Sequence, residues 1–368
     1  MRALELDDDR VRALRTEGQG LGRPFSSAAE TVERVVGIQA QDARAGALGI
    51  RVRTHALTAA DLRRALEVDR TLVRGWFLRG TLHTVTTADL HWLLDLLGPH
   101  VLRLSARRHR ELGLDESLCD RAETVITDAL AAQGPCTRAE LTHRLADAGL
   151  PADGQAPFHL IRRTALRGRI CFGPDRDGDA TYVLLADWLP DAPGDGPTGD
   201  AAVTALARRY LRAHGPATLE DFAGWSGLPA SAARRAWHSL DLLPVRVQDQ
   251  DCALPADRAD EIDAAPGPAP EVRLLPMYDN YLVAHRTSAL SVPAAHQKQV
   301  RPGGGLIRAA VLTDGLACGT WSWRRDHADV TLFDPTAAPG LAPGIAAEST
   351  DIARFLRPAW TPPPATAP

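Results

Sequence analysis

The sequence predicts an α+β protein in which three tandem winged-helix units precede a small antiparallel, barrel-like β module. Three segments share one pattern: a threonine, an acid three residues later, and then leucine or phenylalanine. These segments are Thr58–Leu62, Thr137–Leu141 and Thr218–Phe222. Each threonine hydroxyl is a candidate helix cap, and the threonines recur about 80 residues apart. The near-equal spacing predicts a repeated helical unit.

The first predicted unit, residues 1–115, is the most elaborated, because an additional helix over 27–36 leads directly into Gln39-Ala40-Gln41. The second unit, residues 116–188, has the clearest pattern, since three helices are followed by an alternating hairpin, the β-wing. Its helices are predicted at 119–133, 137–148 and 155–167, and its hairpin at 169–185.

The third predicted unit, residues 199–256, repeats this order less cleanly. Its helices are predicted at 201–213, 218–225 and 230–240, with strands near 245–248. Two linkers accompany it. A turn-rich acidic segment at 190–197 precedes the unit, and a Pro-rich spacer at 264–270 follows it.

The predicted β module covers residues 271–357, where the pattern of apolar and polar residues changes from that of helices to that of strands. Asp314-Gly315 separates two apolar runs and is typical of a type I′ hairpin turn. The runs cover 306–313 and 316–323, and a short helix is predicted at 345–356. Residues 358–368 are expected to be a disordered tail.

The composition is ordinary for a globular protein: 368 residues, 45% hydrophobic and 24% charged. No apolar run has the length of a membrane span, and the N-terminus is charged, so a cytoplasmic, nucleoid-associated protein without membrane contact is expected. The cysteines are odd in number and form no Cys-x-x-Cys pair, which argues against disulfides or a zinc site. They are Cys119, Cys136, Cys171, Cys252 and Cys318.

The net charge is −4, but the charges are unevenly distributed. Residues 101–110 and 158–170 each contain four arginines and no acid. Such local basic faces can bind phosphate even when the whole chain is acidic. Among 42 basic residues, Lys298 is the only lysine. Schiff-base chemistry requires an amine, so an amine-dependent lyase mechanism is disfavoured.

Gln39 and Gln41 stand two residues apart at the junction of two apolar stretches. Each amide carries both an acceptor oxygen and a donor nitrogen. A pair of amides can therefore hold a water molecule without ionising. Taken alone, paired glutamines are also compatible with a solvated helix face.

The stretch from Val35 to Arg53, followed by Leu72–His83, resembles the AlkZ-like DNA glycosylases, winged-helix proteins that unhook DNA interstrand crosslinks and excise bulky alkylated purines. Their catalytic signature is glutamine, an aliphatic residue, then glutamine, which Gln39-Ala40-Gln41 matches. Segments 274–281 and 311–323 also match. The resemblance covers most of the chain. The Asp-rich linkers and the Pro-rich tail depart from the pattern of the family.

The resemblance implies a monofunctional DNA glycosylase that acts on double-stranded DNA bearing alkylated purines. Alkylation at guanine N7 makes the base cationic, so it departs as a neutral leaving group and needs no strong general acid. The enzyme then needs a placed water and stabilisation of the sugar. We expect Gln39 and Gln41 to share the task of orienting this water, with Gln41 the more critical. We expect neither a metal nor a cofactor.

The lesion is expected to be a bulky natural-product adduct or crosslink, of the hedamycin, azinomycin or trioxacarcin type. The arginine-rich composition indicates a GC-rich genome, which fits self-resistance in an antibiotic producer. Such a lesion cannot leave the base stack easily, so an open site on a DNA-binding cleft is expected rather than a tight pocket.

Six basic residues are candidate DNA contacts: Arg79, His83, His285, Arg286, Lys298 and Arg301. Arginine matches a phosphate with two hydrogen bonds. His83 is equally compatible with a histidine that closes a β-strand. Tyr281 is a further candidate beside His285, although core packing is the favoured interpretation for this residue. Asp279 is either a second acid near the site or a turn residue. The run 298–305 resembles a mobile loop that carries basic residues at its base.

Two other functions are compatible with the sequence. A non-enzymatic winged-helix transcription regulator would bind DNA without cutting it, but regulators commonly dimerise. Three units in one chain and no evident dimerisation helix favour a monomer with one continuous cleft. A protein that sequesters the antibiotic itself is the third possibility, and stabilisation by free drug would support it.

Overall fold

The structure is a computed structural model that describes residues 3–263 and 272–357. The chain divides into two compact units. The discontinuous unit contains residues 3–62 and the described residues from 203 to 357, and the central unit contains residues 63–202. The predicted spacer at 264–270 and the predicted tail lie outside the described residues. The finer division into four domains stays a prediction.

The N-terminal segment forms short elements, and each of its four helices begins at a capping side chain. In chain order they are β1 (Leu4–Leu6), α1 (Asp8–Gly18), α2 (Ala28–Arg34), β2 (Ile38–Gln39), α3 (Ala43–Arg51) and α4 (Ala59–Glu67). Ser27 caps α2 by accepting from the backbone N–H of Glu30 at 3.1 Å. Asp42 caps α3 in the same way. The predicted helix before the glutamine motif is therefore present, and a second helix begins directly after it.

The central unit contains the predicted order of three helices and a hairpin. Its elements are β3 (Leu72–Trp76), β4 (Leu82–Thr86), α5 (Leu90–Glu111), α6 (Glu116–Gln133), β5 (Cys136–Thr137), α7 (Arg138–Asp147), α8 (Ala156–Leu166), β6 (Ile170–Phe172), β7 (Thr181–Leu184) and α9 (Leu185–Trp188). Strands β6 and β7 pair antiparallel, and β5 adds to β7. The apolar faces of α6, α7 and α8 supply Ile126, Leu141 and Leu160 to one buried core.

The chain then returns to the discontinuous unit. The elements are α10 (Gly199–His214), α11 (Leu219–Ser226), α12 (Ala230–His238), β8 (Leu242–Val247), β9 (Gln250–Pro255) and α13 (Ala259–Asp263). Strand β1 pairs parallel with β8, with Leu4 opposite Val245, and β8 pairs antiparallel with β9. The N-terminal strand therefore completes the sheet of the third predicted repeat.

All three predicted Thr/acid pairs form reciprocal capping boxes. The threonine hydroxyl accepts from the backbone N–H of the acid, and the carboxylate accepts from the backbone N–H of the threonine. The pairs are Thr58 with Asp61, Thr137 with Glu140 and Thr218 with Asp221, at distances of 2.7 to 3.2 Å. The repeat signal therefore reports real helix starts.

The C-terminal module contains one four-stranded antiparallel sheet in the order β10-β11-β12-β13. Its elements are β10 (Arg273–Leu275), α14 (Asn280–Val283), α15 (Gln297–Val300), β11 (Ala310–Thr313), β12 (Leu316–Arg324), β13 (His327–Leu332) and α16 (Ala338–Leu356). Asp314 and Gly315 have φ values of 49° and 74°. Positive φ at both positions is what a type I′ turn requires, so this predicted hairpin is confirmed.

The barrel-like closure predicted for this module is wrong, because the described sheet is open. Helix α16 packs against both edge strands instead. The Glu348 carboxylate accepts from the backbone N–H of Leu274 on β10, and the Ser349 hydroxyl accepts from that of Ala328 on β13. The helix satisfies edge groups that strand closure would otherwise pair. Among the described residues, no helix is long and apolar enough to cross a membrane.

Candidate active site

The glutamine motif follows a helix end with an unusual backbone. Helix α2 ends in a Schellman-type turn, in which Val36 N–H donates to Glu33 at 3.2 Å and Gly37 N–H donates to Val32 at 2.9 Å. Val36 has a φ of 60°, a left-handed conformation in which a β-branched residue is a clear outlier. Such strain concentrates at functional sites, because the surrounding structure has to enforce it.

Helix α3 approaches the motif closely through two glycines on one face. A Cβ at Gly46 would lie 3.0 Å from the Cβ of Ala40, and a Cβ at Gly49 would lie 3.3 Å from Ile38. Side chains at these positions would therefore press on the segment that carries the glutamines. The two glycines allow α3 to pack directly against its backbone.

The two glutamines differ in their access to solvent. Gln39 is 9% exposed and Ala40 is 4% exposed, whereas Gln41 is half-buried. Gln41 precedes Asp42, which caps α3 through the backbone N–H of Ala45 at 2.7 Å. Gln41 is therefore the more accessible of the two amides for a water or substrate. The larger catalytic role that the sequence analysis gives Gln41 stays a prediction.

A side chain from the C-terminal module fixes the backbone of the motif. Asn280, the first residue of α14, donates from Nδ2 to the carbonyl of Gly37 at 2.6 Å and accepts at Oδ1 from the N–H of Gln39 at 3.3 Å. Asn280 is buried. One amide side chain thus binds the backbone on both sides of Ile38, at the entrance to the glutamine motif.

Asp279, the residue before Asn280, is paired with a buried arginine. The carboxylate accepts two hydrogen bonds of 2.7 Å from Arg53, and it also accepts from the backbone N–H of Tyr281 at 2.9 Å. Arg53 further donates to the side chain of Gln19 and to the carbonyl of Gly49. The sequence left open whether Asp279 is an acid of the site or a turn residue. Its carboxylate is engaged structurally and caps α14.

The chain is strained again on this second segment. Tyr278 has a φ of 57°, and its N–H donates to the carbonyl of Ile307 at 3.2 Å. Met277, just before it, is exposed. Strained residues therefore precede both Gln39 and Asn280, the two residues that hydrogen-bond to each other.

The β-sheet also reaches the first turn of α3. The guanidinium of Arg44 lies 5.9 Å from the ring centroid of Trp323, a cation–π distance. Burial lowers the pKa of Arg44. Trp321, two residues earlier on β12, is buried and donates from Nε1 to the carbonyl of Leu275 at 2.7 Å. Trp321 is a core residue, and Trp323 lies beside the first turn of α3.

Two candidate DNA contacts lie in the central unit, on the segment between β3 and β4 and on β4. Arg79 has a φ of 54° and is half-buried, and burial lowers its pKa. His83 is buried within β4, and its Nδ1 lies 3.0 Å from the carbonyl of Thr81. Burial, and then the charge of Arg79, lower the pKa of His83 to about 3. A neutral, buried histidine has little surface for DNA, which favours the alternative of a strand histidine.

The other four candidates lie in the discontinuous unit. His285 is half-buried with Nε2 3.0 Å from the carbonyl of His214, and burial sets its pKa well below the ordinary value. Arg286 and Lys298 are exposed. Arg301 is half-buried, with its pKa lowered by burial. Lys298 lies in helix α15, so the predicted mobile loop at 298–305 begins later than expected.

The arginines of residues 158–170 do not form the free basic face that their local sequence suggests. Acids of α6 neutralise three of them across the packed helices. The pairs are Arg163 with Glu116 and Asp120, Arg167 with Asp120 and Glu123, and Arg169 with Glu123. Arg162 is used within the fold, since it donates to the carbonyl of Gly80 and the hydroxyl of Ser105.

Sequence reasoning missed Arg53 and Asn280, although Asn280 stands in a segment that the resemblance includes. The signal for Asn280 is its place directly after Asp279, as the one asparagine of the whole sequence. Arg53 had no local signal, because its partner is 226 residues away. Within residues 3–263 and 272–357, no group of His, Cys, Asp or Glu side chains has the arrangement of a metal site.

Comparisons with known proteins identify the family of this chain. A family model described as DNA glycosylase AlkZ-like matches residues 32–355, a range that includes Gln39, Gln41 and Asn280. A Streptomyces sahachiroi protein described as an interstrand DNA cross-link repair glycosylase is 29% identical over 325 residues, covering 85% of this chain and 87% of that protein.

The solved structure of the Streptomyces sahachiroi DNA glycosylase AlkZ has the same fold. It aligns with a TM-score of 0.80 and 24% identity, over 94% of this chain and 98% of that chain. The mixed helix and strand architecture is therefore shared along nearly the whole length. Because the family model matches most of the sequence, this chain belongs to the AlkZ-like DNA glycosylase family.

Proposed function

We propose that this protein is a monofunctional DNA glycosylase that hydrolyses the N-glycosidic bond of N7-alkylguanine-type adducts in double-stranded DNA. The observation that carries the proposal is the glutamine pair. Gln39 and Gln41 lie within the matched family region, and Asn280 and α3 hold their segment in one place. A fixed pair of uncharged amides fits the task of orienting a water.

In the proposed mechanism the substrate supplies most of the driving force. An N7-alkylated guanine is cationic in the ground state, and it leaves as a neutral base when the glycosidic bond breaks. A glutamine oxygen accepts a hydrogen bond from the attacking water and directs the lone pair of the water oxygen to the sugar carbon. As the C–O bond forms and the neutral base leaves, the water releases a proton to solvent. The amide dipoles also stabilise positive charge on the sugar. Gln41 has the greater access to solvent and takes the main role.

The lysine content of the chain and the location of Lys298 favour hydrolysis by water over catalysis by an amine. Lys298 is the only lysine in the chain, and it lies on the exposed surface of α15. Formation of a Schiff base would require an amine at the reacting sugar carbon. A water oriented by the amides of Gln39 and Gln41 requires none.

We assign DNA binding to the three predicted winged-helix units and the C-terminal module, with Arg79 in the first unit and Arg286, Lys298 and Arg301 in the module as phosphate contacts. The basis is the helix–helix–helix–hairpin order in the central unit and the exposure of Arg286 and Lys298. Phosphate contacts position a protein on DNA without reading its sequence. His83 and His285 are not retained as phosphate contacts, because burial holds both in the neutral form.

The proposed substrates are bulky natural-product adducts or crosslinks, of the hedamycin, azinomycin or trioxacarcin type. The relative from Streptomyces sahachiroi is described as an interstrand cross-link repair glycosylase, and this chain matches it over most of both lengths. Bulky, intercalated lesions resist extrusion into a pocket, because unstacking costs a few kcal/mol even for an ordinary base.

The test is base release from two lesion duplexes, one with N7-methylguanine and one treated with azinomycin or hedamycin. Abasic sites are cleaved with alkali and resolved on a gel. We expect cleavage at the modified guanine, reduced about 100-fold or more in Gln41→Ala and less in Gln39→Ala. Gln133→Ala, which removes an exposed amide at the end of α6, is the matched control and should retain full activity.

Three results would count against the proposal. Full activity of both Gln39→Ala and Gln41→Ala would place the chemistry elsewhere. Tight DNA binding without release from either lesion duplex would favour the regulator instead, whereas a rise in melting temperature with free drug would favour sequestration. Release from the bulky adduct alone would define specificity within the proposed function.

A further inference from the structure

Asn280 occupies the position that a neighbouring strand would normally take beside the glutamine motif. Its side-chain amide donates to the carbonyl of Gly37 at 2.6 Å and accepts from the N–H of Gln39 at 3.3 Å. The carbonyl and the N–H that flank one residue, here Ile38, are the two groups that a single residue of a parallel neighbouring strand would bind. The backbone that presents Gln39 is therefore held on this side by one amide.

The residue is also unusual in the sequence. Asn280 is the only asparagine among 368 residues. The chain otherwise uses aspartate, serine and threonine where short polar caps are needed, as at Ser27, Asp42 and Thr218. Those residues cannot provide one donor and one acceptor in the planar arrangement of an amide. The one asparagine stands where both functions are used.

The position of Asn280 is itself fixed. It is buried at the first position of α14, and Asp279 before it is held by two hydrogen bonds of 2.7 Å from Arg53. Arg53 donates as well to Gly49 of α3, the helix that packs against Ile38. The Asn280 amide and the segment that it holds are thus anchored to the same arginine.

We propose that Asn280 is a positioning residue for catalysis, which holds the Gly37–Gln39 backbone so that the amides of Gln39 and Gln41 meet the attacking water at the correct distance. The proposal rests on the proposed glycosylase function. Without Asn280, a buried donor and a buried acceptor lose their partner, and the motif shifts. A misplacement of about 1 Å can cost about 100-fold in rate.

The test separates chemistry from DNA binding. Asn280→Ala and Asn280→Leu are compared with the unchanged protein in single-turnover release of N7-methylguanine at saturating enzyme, after subtraction of spontaneous release. We expect the rate to fall about 10- to 100-fold, while Kd for an undamaged duplex changes less than about twofold. Rates within threefold of the unchanged protein, or an equal loss in binding and rate, would overturn the inference.

Tyr281→Phe controls for loss of stability alone. The Tyr281 hydroxyl donates to the carbonyl of Gly315 at 2.8 Å from the same helix, away from the motif. Its removal should lower the melting temperature without slowing base release. An equal loss of rate in Tyr281→Phe and Asn280→Ala would mean that the effect is general destabilisation, which also overturns the inference.

A measurement that does not depend on catalysis distinguishes failure of the positioning role of Asn280 from failure of the proposed glycosylase function. Because the chain has one asparagine, labelling with side-chain ¹⁵N-asparagine gives one ¹⁵N amide resonance with two attached protons by NMR. Slow exchange of its protons with solvent is expected, and fast exchange would overturn the positioning role. If that signal is protected but the unchanged protein releases no base from either lesion duplex, the glycosylase function fails, and the catalytic role of Asn280 fails with it.

Discussion

Arg53 and Asp279 form a two-pronged ion pair in which both hydrogen bonds are 2.7 Å long and neither side chain is exposed. The two residues are 226 positions apart. Arg53 follows α3, and Asp279 precedes Asn280, so the pair joins the N-terminal glutamine segment to the C-terminal module. The geometry of the candidate site depends on this long-range contact.

Removing only the carboxylate of this ion pair is predicted to destabilise the protein strongly. Asp279→Leu leaves the Arg53 charge buried without its carboxylate, which should cost about 3–5 kcal/mol in the free energy of unfolding. Urea unfolding followed by circular dichroism measures this loss. The double variant Arg53→Met/Asp279→Leu leaves no buried charge and should be more stable than Asp279→Leu.

An exposed ion pair provides the control for that prediction. Arg324 and Asp329 lie 3.5 Å apart with side chains 68% and 55% exposed. Arg324→Ala should change the free energy of unfolding by less than about 1 kcal/mol. A double variant no more stable than Asp279→Leu would show that packing around Arg53, rather than charge, dominates.

The glycine at position 46 is predicted to matter for activity more than for stability. In Gly46→Ala the new Cβ would lie 3.0 Å from the Cβ of Ala40 and 3.1 Å from its Cα. The gain in helix propensity, about 1 kcal/mol, offsets part of the crowding. The backbone between Gln39 and Gln41 must shift, so we expect single-turnover base release to slow about tenfold or more.

Gly340→Ala is the matched control for Gly46→Ala. Gly340 also lies in a helix, α16. Apart from its chain neighbours and the backbone of its own helix, no atom of the described residues lies within 4 Å of its added Cβ. This variant should keep the full rate of base release and gain up to about 1 kcal/mol in stability. Equal rates for the two alanine variants would contradict close packing of α3 on the motif.

Local signals in the sequence predict local structure well. The Thr/acid pairs predict three helix starts, and Asp314-Gly315 predicts the β11–β12 turn, because each depends on residues only a few positions apart. The glutamine pair stands out for the same reason. Its spacing and its apolar flanks are visible without any knowledge of the fold.

Contacts between distant segments are not predictable in this way. Leu4 pairs with Val245, and Arg53 with Asp279, across more than 200 residues. The arginines of residues 158–170 have no acid nearby in sequence, yet acids of α6 neutralise three of them. The sequence therefore overstates the free basic surface and does not reveal what fixes the site.

His83 is predicted to make the stability of the protein depend on pH. Its pKa is lowered from 6.5 to about 3 by burial and by Arg79. Between these values the unfolded chain binds one proton more than the folded chain, so stability is present above pH 6.5 and is lost as pH falls. The slope for one proton is about 1.4 kcal/mol per pH unit.

His83→Asn tests this contribution, because the amide nitrogen can replace Nδ1 as donor to the carbonyl of Thr81. Urea midpoints of both proteins are compared from pH 7.5 to pH 4.5. The urea midpoint should fall less steeply with decreasing pH in His83→Asn than in the unchanged protein. Parallel curves would mean that His83 is protonated in the folded protein, which would favour a phosphate contact after all.

The cysteines are predicted to resist alkylation in the folded protein. Four of the five are buried, and Cys318 is half-buried. Burial raises the pKa to about 12 for Cys171 and to about 11 for Cys252 and Cys318. Because the thiolate is the reactive form, iodoacetamide at pH 8 should label these thiols at least about 100-fold more slowly than in urea. Mass spectrometry of the labelled peptides measures each rate, and rapid labelling of Cys171 without denaturant would contradict its burial beside β7.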